Sequence, residues 1–337
     1  MNTNPTLRIG LTLGDVNGVG PEVALKAVYR VRWPAGWRFA LIGPSEILRE
    51  QARRYRLPTP PTALPPGEWP PGPRTIVWEA GAEPQLRWRP GHVSAAAARA
   101  SVAALRAATD AARADRLDAI VTAPIHKGAW GRAGIQSPGH TELLAQWCGV
   151  RSFAMMLVGG PLRVVLATRH LPLRLVAGAV TRPAVRCAIE QAKIGLDWLG
   201  CCTARIAVCG LNPHAGDSGR LGDEERRIIA PEVMAARRRG WDVSGPIPAD
   251  TAFHLALQRR YDLVVAMYHD QGLAPLKMIA FEMGVNVTLG LPFVRTSPDH
   301  GTAFDIAGRG TANPRSLRAA IRLAGKLAGR PNPWRTS

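Results

Sequence analysis

Short runs of Val, Ile, Leu and Ala that do not alternate with polar residues recur along nearly the whole chain, separated by stretches of helical character. They include FALIG (39–43), DAIVTAP (118–124), FAMMLVGG (153–160), LRVVLATRH (162–170), ARIAVCGLN (204–212), YDLVVAMYH (261–269) and GVNVTLG (284–290). A strand with one wet face shows period-two alternation, so unbroken apolar runs of this length imply strands covered on both faces. The intervening stretches supply the cover: an alanine-rich helix over 94–114, another near Arg182 to Leu199, and a third after Gly222. Together these elements predict an α/β fold with largely parallel sheets.

At 337 residues the chain has the length of two ordinary domains or one large one. No repeat and no linker cuts it cleanly, which fits two domains with a late return of the chain to the first. The boundaries are placed at 1–128 with 275–337 for the first domain and 129–274 for the second. The proline-rich segment Pro58 to Arg74, PTPPTALPPGEWPPGPR, suits neither helix nor central strand and reads as a surface excursion.

No apolar run approaches the length of a membrane span, and the N-terminus carries no signal-peptide core, so a cytoplasmic protein without membrane contact is expected. Five irregularly spaced cysteines (Cys148, Cys187, Cys201, Cys202, Cys209) suit a reducing compartment and show no metal-type pairing. The net charge of +18 comes from arginines spread along the chain rather than gathered with aromatics on one element. That pattern argues against nucleic acid, while the positive field attracts phosphorylated or carboxylated small molecules.

The loop GDVNGVGPEV, Gly14 to Val23, follows an apolar run and opens a helix, as a dinucleotide fingerprint would. Its third glycine position is Val23, and Pro21 removes an N–H that would face a phosphate. A pyrophosphate cradle and a tight turn at the carboxyl edge of a sheet are both open on these residues alone.

Four of the eight histidines stand at or just past strand-like runs: His126, His170, His214 and His269. Ligands of open α/β sheets bind outside the carboxyl ends of strands, so such positions can converge. A lone strand-end histidine is usually a hydrogen-bonded loop residue. Several at equivalent places favour a divalent ion held by imidazoles, with a coordination position left for substrate. An all-nitrogen set suits zinc, cobalt or nickel better than magnesium or calcium. Nearby, His140 and Thr141 stand at the mouth of a helix, with Thr141 a cap or a ligand contact, and Lys277 follows His269 within HDQGLAPLKM. Asn286, Arg295 and His300 come from GVNVTLGLPFVRTSPDHGTA. Asp250 reads as a helix N-cap ahead of a carboxylate supporting a metal ligand.

The segments VTAPIHKGAW, GIQSPGHTELLA, LATRHLPL, CGLNPHAGDSGRLGDEE, GPIPADTAF and AMYHDQGLAPLK, with GVNVTLGLPFVRTSPDHGTAFDIAGRG, together resemble the 4-hydroxythreonine-4-phosphate dehydrogenase family of pyridoxal phosphate biosynthesis. The likeness runs from about Leu7 to about Gly329. It implies a homodimer of two-domain α/β/α subunits, isocitrate/isopropylmalate dehydrogenase-like in fold, with the active site in the interdomain cleft at the subunit interface. Carried over position by position, it makes His170, His214 and His269 the metal ligands, with His170 reaching a site completed by the partner subunit. His140, Thr141, Lys277, Asn286 and Arg295 become substrate contacts, Lys277 also catalytic, and His126 has no ligand role. The cofactors it implies are NAD, with NADP as the alternative, and one divalent ion per site, zinc ahead of cobalt or magnesium. NAD would then bind without a Rossmann glycine loop, which leaves GDVNGVGPEV as a turn lining the cleft. The implied reaction is oxidation of 4-phosphooxy-L-threonine at its C3 hydroxyl followed by decarboxylation to 3-amino-2-oxopropyl phosphate. A sister dehydrogenase acting on a four-carbon sugar acid phosphate or a cyclic dihydrodiol carboxylate is the alternative. The chain departs from the family pattern at Val16, Asn17, Pro298 and Met283, the last replacing a frequent arginine.

Overall fold

The computed structural model describes residues 6–335. By internal contacts the chain forms two compact units, Met1–Leu144 with Pro292–Ser337, and Ala145–Leu291. The crossings fall later than the 128/129 and 274/275 expected from sequence. The helix that follows His126 packs with the long alanine-rich helix of the first unit, and the strand after 284 pairs inside the second unit.

The first unit runs β1 (Leu7–Thr12), α1 (Gly20–Tyr29), β2 (Trp37–Gly43), α2 (Ser45–Arg54), β3 (Ala63–Leu64), β4 (Thr75–Glu79), α3 (Ala95–Arg113), β5 (Ala119–Thr122), α4 (Lys127–Arg132) and α5 (His140–Trp147), which straddles the first crossing. The second contains β6 (Ala154–Gly159), β7 (Leu162–Leu166), α6 (Val176–Ala179), α7 (Arg182–Leu199), β8 (Ile206–Cys209), α8 (Ala230–Arg238), β9 (Val243–Ile247), α9 (Ala249–Leu257), β10 (Leu263–Ala266), α10 (His269–Ala280) and β11 (Val285–Leu289). The chain then returns to the first unit with β12 (Val294–Pro298) and α11 (Arg315–Ala328).

In the first unit the strand order is β3-β4-β2-β1-β5-β12, every neighbouring pair parallel. In the second it is β11-β6-β7-β10-β8-β9, parallel from β7 to β9, with β6 antiparallel to both of its neighbours. The expectation of an α/β fold with largely parallel sheets holds. Strands β5, β8 and β10 are buried at every position, which is why their sequences show no alternation.

Local signals set the helix limits. Ser94 accepts a hydrogen bond from the Ala97 amide at the start of α3, and Thr181 does the same from Ala184 at the start of α7. Gly200 ends α7 in the left-handed conformation, where a side chain would be strained. The proline-rich segment contributes only the two-residue edge strand β3. It is held down by Trp69, which meets Trp78 edge-on and donates to the Arg116 carbonyl. Among the described residues no helix is long and apolar enough to cross a membrane.

Candidate active site

The opening loop settles first, because it leaves no room for a pyrophosphate. Every residue from 9 to 28 is buried. A Cβ on Gly14, whose φ is +64°, would stand 2.1 Å from the Pro124 carbonyl oxygen, and one on Gly20 would stand 2.1 Å from that of Leu13. The glycines therefore admit the protein's own backbone, and the cradle reading is overturned in favour of a tight turn. Asp15 in this turn is 1% exposed; its Oδ1 accepts from the Asn17 amide at 3.0 Å, while Oδ2 is buried with no hydrogen-bond partner. Burial pushes its carboxyl up to about 6, against the lowering effect of the Asn17 amide and His126.

In the first unit the structure brings together three of the expected substrate contacts. Arg295, on β12, is 2% exposed. Its Nη2 donates to Thr122 Oγ1 at 2.6 Å, and its Nη1 lies 3.5 Å from Thr141 Oγ1. Burial lowers its guanidinium to about 10, countered by Glu142, so it stays charged at neutral pH. His140, the first residue of α5, lies edge-on to Trp130, and its Nε2 is buried without a partner. Burial, then Arg295 and Lys127, hold its pKa well below the usual histidine value, so the ring is neutral. Thr141 lies inside α5, buried, and is not its cap. Thr122, at the tip of β5, was missed from sequence because a threonine in a buried strand carries no signal of its own.

In the second unit the three histidine-bearing strands β7, β10 and β8 are consecutive and parallel, so His170, His269 and His214 follow the same edge of the sheet. Parallel neighbours lie about 4.8 Å apart, which puts side chains from adjacent tips within reach of each other. The His170 and His269 rings are 5.3 Å apart between centroids, and His269 Nδ1 meets Asp270 Oδ1 at 2.7 Å. Among the described residues no group of three or more His, Cys, Asp or Glu side chains is arranged to hold a metal ion, so His214 does not join the pair within one chain.

His214 lies on a turn of unusual backbone, with positive φ at His214, Ala215, Gly216, Asp217 and Ser218. Each non-glycine residue in that conformation costs roughly 1–2 kcal/mol, so the turn persists only because its surroundings hold it. Glu225 supplies the hold, its Oε1 accepting from the Leu211 and Asn212 amides at 2.8 and 2.7 Å. Burial pushes the Glu225 carboxyl up, but the hydrogen bonds from Asn212 and Leu211 outweigh this and leave it below the usual carboxylate range.

Two further ties link the strand tips. Thr168 Oγ1 donates to the Met267 carbonyl at 2.7 Å; Gln271 accepts from the Met267 amide at 2.6 Å and donates to the Gly210 carbonyl at 2.8 Å. Close packing brings the start of α10 to the sheet, since a Cβ on Gly272 would lie 2.8 Å from both Leu166 and Val164.

Lys277 is on α10, its Nζ 5.9 Å from the Phe281 ring centre, and Asn286 is on β11 with Oδ1 buried and without a partner. Asp250 is not the cap. The N-cap of α9 is Pro248, and Asp250 is an exposed first-turn residue accepting from the Thr251 amide at 2.6 Å. His126 caps α4 by accepting from the Ala129 amide at 3.0 Å and stacks on Phe304, a structural role. His300 turns its Nδ1 to the neighbouring Gly301 carbonyl at 2.9 Å. The five cysteines are free, and burial pushes the Cys209 thiol up to about 12.

A largely parallel α/β chain with imidazoles at adjacent strand tips and a buried guanidinium beside a helix start has the make-up of an α/β enzyme acting on an anionic small molecule. The chain belongs to the family of pyridoxal phosphate biosynthetic protein PdxA, whose profile matches residues 41–324. It is 44% identical over 330 residues to a 4-hydroxythreonine-4-phosphate dehydrogenase of Beijerinckia indica subsp. indica, covering 95% of this chain and 94% of the relative. It is 42% identical over 328 residues to a D-threonate 4-phosphate dehydrogenase of Pectobacterium atrosepticum, covering 95% and 99%. Its fold matches the crystal structure of 4-hydroxythreonine-4-phosphate dehydrogenase from Klebsiella pneumoniae with a TM-score of 0.83 at 40% identity, covering 96% of this chain and 99% of that one.

Proposed function

We propose that the protein oxidises the C3 hydroxyl of 4-phosphooxy-L-threonine with NAD, NADP being the alternative, and that the resulting 3-oxo acid loses carbon dioxide to give 3-amino-2-oxopropyl phosphate in pyridoxal 5'-phosphate biosynthesis. The observation that carries this reading is the run of three neighbouring parallel strands, each followed by a histidine at the same edge. The likeness to the Beijerinckia relative supports the substrate.

The donor set fits a divalent ion such as zinc, with cobalt or magnesium as alternatives. Neutral imidazoles are its preferred nitrogen ligands, and two of the three already stand side by side. His170, His214 and His269 would hold it, with a partner subunit completing the set. Such an ion lowers the pKa of a bound hydroxyl and polarises a carbonyl.

The chain's own residues do the rest. Lys277 would take the proton of the C3 hydroxyl, with NAD, when bound, supplying the hydride acceptor. Arg295, charged though buried, and the start of α5 with His140 and Thr141 hold the phosphate. A neutral His140 serves as a hydrogen-bond donor there without repelling Arg295. Asn286 orients a polar group of the substrate through its unsatisfied Oδ1.

The homodimer is supported by the apolar surface of the second unit. Leu171, Leu173 and Leu175 beside His170, and Met278, Ile279, Phe281 and Met283 beside Lys277, are all exposed.

A second reading, oxidation of a four-carbon sugar acid phosphate, is favoured by the Pectobacterium relative at nearly the same identity. Purified protein given NAD and either 4-phosphooxy-L-threonine or D-threonate 4-phosphate separates the two. The proposal expects the larger kcat/KM for the amino acid; a clear preference for the sugar acid rejects it.

A further inference from the structure

We propose that Glu225 is the positioning residue of the His214 ligand, holding the left-handed turn 213–219 and with it the imidazole at the sheet edge that also carries His170 and His269. The inference rests on the reading of His214 as a metal ligand.

Glu225 is 5% exposed and lies within the arginine-rich run DEERR, yet its carboxylate faces the turn. Its oxygens bracket the histidine from both sides in sequence. Before His214, Oε1 accepts from the Leu211 and Asn212 amides, and Oε2 accepts from Asn212 Nδ2 at 3.1 Å. After His214, a Cβ on Gly216 would lie 2.6 Å from the same Oε2, so the carboxylate occupies the space that a side chain at 216 would need. Asn212 is held in turn by Glu224 Oε2 at 2.8 Å, which fixes its amide as the donor toward Glu225.

Glu225 also opens a π-helical turn, Glu225–Ile229, and such turns recur where a side chain has to be re-aimed at a functional site. Gln271, two residues past His269, bonds the Gly210 carbonyl and thereby joins the base of the held turn to the strand that carries His269. The position of one ligand is thus referred to another through Glu225, Gly210 and Gln271.

Glu225→Gln tests this with little change of volume. The new amide would point a donor at Asn212 Nδ2, and Asn212 cannot flip without losing its bond to Glu224. Glu225→Ala removes all three acceptor contacts. Glu232→Gln is the control: Glu232 is equally buried in the same unit but receives Arg182 and Arg186 at 2.7 and 2.8 Å, away from the turn.

The full chain is titrated with cobalt(II), followed by its visible absorption, with thermal unfolding and hydrogen exchange of residues 210–218 read on the same samples. Glu225→Gln should weaken cobalt binding by about 10–100-fold, change the band shape and speed exchange in 210–218, with Glu225→Ala at least as severe. Glu232→Gln should lower the unfolding temperature while leaving cobalt binding and the band shape as in the parent. Unchanged cobalt binding in both Glu225 variants, or an equal loss in Glu232→Gln, overturns the positioning role while the ligand reading survives. A parent that binds no cobalt, or binds it as well after His214→Ala, overturns the ligand reading and this inference together.

Discussion

Replacing Asp15 with Asn should stabilise the protein above pH 7, although no new contact is made. Burial raises the carboxyl from 3.8 to about 6, because the ionised form is held away from water with Oδ2 unpartnered. A group whose folded pKa is raised stabilises the fold fully below its unfolded value, and that contribution is lost as pH rises through the folded one. At pH 8 the folded protein thus carries an ionised carboxylate at a cost of about 3 kcal/mol, from roughly 1.4 kcal/mol per pH unit across the interval 3.8 to 6. Asn is never ionised, has nearly the same shape, and keeps an oxygen for the Asn17 amide. Asp15→Asn should therefore raise the unfolding midpoint at pH 8 by on the order of 5–10 °C, and the gain should shrink through pH 6 and fade below pH 4. Thermal unfolding of parent and variant across pH 4–8, followed by tryptophan fluorescence, reads the difference directly. A variant no more stable at pH 8, or a gain independent of pH, would refute the claim that Asp15 is ionised against its environment.

Three other outcomes follow from the site. Lys277→Met should lower kcat by at least ~100-fold while leaving bound metal, measured by elemental analysis, unchanged; near-parent turnover removes the lysine from the chemistry. Arg295→Lys keeps the charge but loses the planar fork that reaches Thr122 and the α5 start, so KM for the phosphorylated substrate should rise about 10–100-fold with a smaller change in kcat. Phe281→Asp puts a charge into an exposed apolar patch at a side chain 74% exposed. Sedimentation should show a shift from dimer toward monomer, with the unfolding temperature of the monomer preserved.

The parts of the fold that sequence revealed are those where one physical demand acted alone. Strands such as β8 and β10, buried on both faces, show themselves as apolar runs, and α7 shows itself between Thr181 and Gly200. Strand β12 did not, although all five of its residues are buried, because VRTSP satisfies its polar groups through partners such as Thr122 and the Ala320 carbonyl that lie far away in sequence. Histidines at strand tips stood out because imidazoles are few and their spacing after apolar runs repeats. The adjacency of β7, β10 and β8 was invisible, since it depends on strand order rather than on any local pattern. Glu225 and Gln271 were hidden for a related reason: an acid in an arginine-rich run and a glutamine on a helix read as solvated, and only the backbone groups they meet show otherwise. Asp250 misled in the other direction, because an acidic residue at a helix start fits a cap, whereas Pro248 occupies that place.

The dependence of the reaction on a divalent ion held by imidazoles is the claim on which the functional account stands. NADH formation at 340 nm from 4-phosphooxy-L-threonine, measured before chelation, after it, and after adding back zinc or cobalt, tests it most directly. The account predicts turnover that is lost on chelation, returns with the metal, and fails to return in His269→Ala. Turnover that survives complete removal of divalent metal would contradict it.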